Sequence, residues 1–173
     1  SNDEEIITIT YSFPSDSLRP DFTSMNLSSN LIREFTASEK IVLKEAINLW
    51  DNELDTVEFK YIDNEMFADL TFGLTYIDGP SQNAGYWQAN WDNNSLSPAY
   101  LIINNATIRF EPEDLDSGVP LKLIALHEIG NILGLGDIAP SSEFQSVMED
   151  PQQPGDYSSN FTLSDFDKSM IKI

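Results

Sequence analysis

Cysteine is absent from the 173 residues, so no disulfide secures the fold and its stability must come from an apolar core. Histidine occurs once, as His127, which excludes any site built on two imidazoles of this chain. Lysine and arginine together number 9 against 29 aspartates and glutamates, a formal net charge of −20. A surface of that sign repels nucleic acid and anionic membranes, and neither is expected as a partner. It suits a salty or calcium-rich medium, where cations screen the self-repulsion. No apolar run approaches the roughly 20 residues needed to cross a bilayer, and there is no internal repeat.

What remains is the composition of a folded domain. Hydrophobic residues make up 40% and aromatics 11% of the chain, enough to bury a core, so residues 1–173 read as one domain. Residues 6–13 alternate apolar and polar, the period of a strand. Residues 14–35, rich in Ser, Asp and Pro, read mainly as loop. Thr36-Ala37-Ser38-Glu39 is a capping box, and Val42, Leu43, Ala46, Ile47 and Trp50 follow at helical spacing as a core stripe. Strands are predicted over 57–62, 69–73 and 100–104. Acidic loop material spans 111–118. Pro120 suits the first turn of a helix through His127, residues 136–160 are irregular, and Thr162-Leu163-Ser164-Asp165 caps a final helix. Strand, helix, strands, helix, irregular segment and helix together make an α+β domain.

One stretch carries chemistry. Leu126-His127-Glu128-Ile129-Gly130-Asn131-Ile132-Leu133-Gly134-Leu135-Gly136-Asp137 is close to a zinc-protease signature, which places His at its first, fifth and eleventh positions, Glu at its second and Gly at its eighth. His127, Glu128 and Gly134 match; Asn131 and Asp137 stand where histidines belong. Residues four apart share a helix face, so 127 and 131 can reach one cation. Glu128 is placed to take a proton from a bound water, and Gly134 lets the chain turn so that 137 returns to the metal. A bare His-Glu pair is more often two polar residues on an amphipathic helix. Gly130, Gly134, the apolar Ile129, Ile132, Leu133 and Leu135, and Met148 downstream tip the balance toward metalloprotease ancestry.

On these residues the chain resembles the metzincins, and within them the serralysin-type proteases secreted by bacteria. Ile9 to Pro14 resembles the family's opening strand and Asp69 to Gly73 the strand ahead of the cleft. Ala84-Gly85-Tyr86-Trp87 falls at the substrate-pairing edge strand and Tyr100 to Asn104 at the next strand. Ser146-Val147-Met148 resembles the Met-turn beneath the metal, and Ser164 to Asp167 the start of the closing helix. The resemblance implies a twisted mixed sheet with one antiparallel edge strand over the cleft, an active-site helix beneath it and a C-terminal helix. It also implies an exported protein of which these residues are one domain, with an extended peptide as partner. The glycine-rich calcium-binding repeats that follow serralysin catalytic domains are not present here.

The departures bear on activity. A fourth family ligand, a tyrosine two residues after the Met-turn methionine, is Asp150 here. Positions that would be His, His, His and Tyr are therefore His127, Asn131, Asp137 and Asp150. One imidazole, one amide oxygen and two carboxylates are harder donors than zinc prefers; they suit calcium or manganese better, and zinc is expected to bind weakly or not at all. Two readings follow. The first is a peptide-binding pseudoprotease, silent or weakened. The alternative is an active secreted zinc metalloendopeptidase using His127, Asn131 and Asp137 with Glu128 as general base. Loss of the histidines and the tyrosine favours the first; retention of Glu128 favours the second.

Overall fold

Alternating and continuous apolar runs pair into one six-stranded sheet. The computed structural model describes residues 6–15, 31–64, 67–91, 103–140, 143, 145–149 and 161–171. β1 (Ile7–Ser12), β2 (Leu31–Arg33), helix α1 (Ala37–Asp51), β3 (Val57–Tyr61), β4 (Leu70–Thr75), β5 (Gly85–Trp91), β6 (Ile103–Phe110), and helices α2 (Pro112–Asp116), α3 (Leu121–Ile132) and α4 (Asp165–Ile171) follow in that order. The sheet runs β3-β1-β4-β6-β5, with the short β2 added to β4. β1 is parallel to β3 and β4, and β4 to β6; β2 and β5 are antiparallel to their neighbours. The domain is thus mixed α+β, with a mostly parallel sheet and four helices among the described residues. None of those helices is long and apolar enough to cross a membrane.

Burial explains the patterns. β4 is buried along its whole length, as expected of a central parallel strand covered on both faces. Phe72 on β4 and Phe110 on β6 stack at 6.4 Å, and Phe13, Phe35 and Tyr11 extend this aromatic cluster. α1 begins at the predicted capping box: Thr36 Oγ1 accepts from Glu39 N, and Glu39 Oε2 accepts from Thr36 N at 2.7 Å. Its buried stripe is Leu43, Ala46, Ile47 and Trp50. Trp50 is buried, and its Nε1–H donates to Leu126 O at 3.0 Å, tying α1 to α3.

Several boundaries differ from the sequence expectation. The strand expected over 100–104 is β6, which runs from Ile103 to Phe110; residues 100–102 lie outside the described residues. The segment expected as loop after Phe13 contains β2, and the acidic stretch 111–118 contains the short helix α2 with Pro112 in its first turn. Both were hidden because three- and five-residue elements are too short to display a period. Pro120 caps α3 from outside rather than opening it.

Candidate functional site

α3 differs from the amphipathic helix that an isolated His-Glu pair suggests. From Ile124 to Ile132 every residue is buried, the polar His127, Glu128 and Asn131 included. A helix buried on all sides has neighbours on all sides. Here these are α1 through Trp50, β5 and the segment 147–148. Two glycines make the fit possible. A Cβ at Gly130 would lie 3.1 Å from Trp50 Cζ2 and closer still to Met148 Sδ; at Gly85 it would lie 2.6 Å from Glu128 Oε1 and closer still to Ile124 Cγ2. Both glycines act through absence of bulk, which spacing alone does not reveal.

The helix ends where the motif requires. Leu133 caps it, Gly134 takes φ +96°, and Leu135 N–H donates back to Gly130 O at 3.0 Å, a glycine-terminated C-cap. The chain then turns beneath α3. Ile138 N–H donates to Met148 O at 3.0 Å, and Ile138 bridges Glu149 in parallel. Met148 is fully buried. One turn therefore anchors both sides of the site: His127 Nδ1 meets Val147 O at 3.0 Å, while Ile138 carries Asp137 back toward the helix.

That carbonyl can only accept, so Nδ1 carries a proton and Nε2 of a neutral ring offers its lone pair. Nε2 lies 3.1 Å from Asp137 Oδ1. Two lone pairs at that distance need a proton or a cation between them. Adjacent ligands of tetrahedral zinc, with bonds of ~2.0 Å, lie about 3.3 Å apart, so the His127–Asp137 spacing is compatible with a shared cation. The Asp137 side chain is 60% exposed, giving access from solvent. Asn131 does not complete the set as a histidine would. Its side chain hydrogen-bonds the Glu128 carboxyl, and an amide oxygen is a weak donor for zinc. The residues fit half of a zinc site. Asp150, the remaining expected ligand, lies outside the described residues, among which no group of three or more His, Cys, Asp or Glu side chains converges as a metal site.

Burial pushes the Glu128 carboxyl up to about 8; the Asp137 charge adds to the rise and the Asn131 hydrogen bond opposes it. A carboxyl so raised is mostly protonated at neutral pH, a poor state for a general base, and a neighbouring cation would lower it.

β5 lies directly over Glu128. It is an edge strand, paired among the described residues with β6 alone. Glu111 N–H donates to Ala84 O at 3.0 Å, and Gly85 faces Phe110, Tyr86 faces Arg109 and Trp87 faces Ile108. In an antiparallel ladder hydrogen-bonded and non-bonded pairs alternate, so Ala84 and Tyr86 direct their backbone groups to β6. Gly85 and Trp87 direct theirs to the open edge. Tyr86 is 41% exposed, whereas Ala84 and Trp87 are partly buried against the core. The expected edge thus joins the sheet where predicted and continues to Trp91.

Asp167 was not singled out by sequence. Fully buried on α4, it accepts from Ser146 Oγ, from Val147 N at 3.3 Å, and from Ser164 N and Oγ at 2.8 and 2.9 Å. It therefore fixes the turn that orients His127. Its available signal was the spacing Ser164-x-x-Asp167, a capping box closed by Asp167 N–H donating to Ser164 Oγ at 3.1 Å.

Compared with known proteins, the chain matches no family model and no curated protein. Its functional reading rests on the geometry above and on the motif.

Proposed function

We propose that this chain is a peptide-binding domain of serralysin-like metallopeptidase ancestry, secreted, whose zinc site has decayed so that it cleaves slowly or not at all. The observation that carries the reading is the open edge of β5, with the backbone groups of Gly85 and Trp87 directed outward, lying over Glu128 of α3. An extended peptide can add a strand to such an edge, main-chain hydrogen bonds giving affinity and the alternating side chains giving selectivity. The weakened catalysis follows from the donor set: one imidazole, an exposed carboxylate, and a neutral amide oxygen that is a weak donor for zinc.

The alternative, an active metalloendopeptidase with Glu128 as general base, draws support from the His127–Asp137 approach of 3.1 Å, which a cation would complete. One experiment separates the two. Fluorescently labelled peptides from digested, denatured casein are titrated into the chain with and without chelator, and the mixture is then examined by mass spectrometry. The expected result is saturable binding that persists in chelator and in Glu128→Gln, with the peptides intact. Cleavage that disappears in Glu128→Gln and in chelator would establish the alternative. No binding by any peptide would overturn the placement of the cleft.

A further inference from the structure

A pair of buried acidic residues outside the motif lies where β6 runs into α2. Glu111, just after β6, is fully buried, and Asp114 on α2 is 3% exposed. Both hold the segment 77–83 that leads into β5. Glu111 Oε2 accepts from Ile77 N at 2.7 Å and from Gly79 N at 3.3 Å; Asp114 Oδ1 accepts from Ser81 N at 2.7 Å. The segment is tightly folded, with Gly79 at φ +93° and Ser81 at φ +65°. Asp78 closes it internally by accepting from Asn83 N and Nδ2.

Each carboxylate uses one oxygen on this segment. The other oxygens, Glu111 Oε1 and Asp114 Oδ2, are buried with no hydrogen-bond partner among the described residues. Neither carboxylate forms an ion pair with a described lysine, arginine or histidine. Two buried acids three residues apart, each with an unpartnered oxygen, are costly unless a positive charge joins them.

We propose that Glu111 and Asp114, with the 77–83 segment, form a binding site for a hard divalent cation of the calcium class. The donors are oxygens only, without nitrogen or sulfur, which favours calcium over zinc. Two carboxylates leave several coordination positions for backbone carbonyls and water, as calcium accepts in its flexible shell of six to eight oxygens. Occupancy stiffens the segment that delivers Ala84 to the start of β5. The site is separate from His127 and Asp137 and does not depend on the peptide-binding reading.

The test titrates the chelator-treated, desalted chain with CaCl2 by calorimetry. Thermal unfolding is then compared with and without ~1 mM CaCl2, with ionic strength held constant by NaCl so that screening of the net charge is matched. The expected result is about one calcium per chain and a rise in Tm of about 5 °C. Asp114→Asn keeps an oxygen for Ser81 N and should lose most of that rise, with calcium affinity lower by at least ~10-fold; Glu111→Gln should behave alike. The double variant His127→Ala, Asp137→Ala should keep the full calcium response. If Glu111→Gln fails to fold, Asp114→Asn decides. A response absent from the unaltered chain, equal in Asp114→Asn, or lost only in the His127/Asp137 variant would overturn the assignment.

Discussion

Asn131 is the residue on which the proposed loss of the zinc site turns. It lies four residues from His127 on α3, donates from its amide nitrogen to the Glu128 carboxyl, and can offer a metal only its neutral amide oxygen. Asn131→His removes that bond and places a second imidazole on the same helix face, with Asp137 as third donor. Zinc affinity should rise by at least ~100-fold, measured by equilibrium dialysis with elemental analysis; an unchanged affinity would mean that Asp137 does not join the site. Glu128 makes a second, independent prediction. Its folded-state carboxyl is raised to about 8 from the ordinary glutamate value of 4.5, so the native chain holds its proton where the unfolded chain has released it. Stability then falls as pH rises from about 4.5 to about 8 and levels beyond. Glu128→Gln, which cannot ionise, should become more stable relative to the unaltered chain across that window, by on the order of 3 kcal/mol. Denaturant midpoints at pH 5 and pH 8.5 check the sign. A difference that does not change with pH would mean that the carboxyl is solvated.

Among the elements, the seat of β5 on α3 is what joins the open sheet edge to the motif. Gly85 permits it, since a Cβ there would press on Ile124 and Glu128. Gly85→Ala should cost about 1–3 kcal/mol through overpacking, read as a lowered denaturant midpoint, and it should weaken casein-peptide binding by moving the edge. Unchanged stability would show that β5 can retreat from α3 freely. For the same reason proline at 85 is a poor probe of the edge: it adds a Cβ as well as removing the N–H. Much at this level was readable from sequence. The capping box before α1, the buried stripe through Trp50 and the glycine C-cap after α3 are local patterns, set by neighbours three or four residues apart. β2 and α2 were not readable, because they are too short for a period and are held by partners far along the chain, β2 by β4 and the entry to α2 by Ile77 and Gly79.

For the whole molecule, the dominant fact is a net charge of −20 on a domain with few ion pairs among its described residues. Self-repulsion should make stability depend on salt. Between ~10 mM and ~500 mM NaCl the Debye length shrinks from about 30 Å to about 4 Å, and Tm should rise by roughly 5 °C as like charges are screened. Differential scanning calorimetry in chelator isolates this effect from calcium binding. A Tm that falls with salt would instead point to ion pairs as the net electrostatic contribution.

Length, period and motif spacing were enough to assign an α+β domain, to locate the helix bearing His127 and Glu128, and to recognise that Asn131 and Asp137 break the zinc pattern. All of these depend on residues within a turn or two of one another. Tertiary structure alone decided how far Glu128 is buried, that β5 lies over it, and that Asp167 on α4 holds the turn facing His127. It alone brought Glu111 and Asp114 against a segment more than thirty residues earlier. The physical reason is that burial and strand order depend on contacts between segments remote in sequence, and no local period encodes which of them meet.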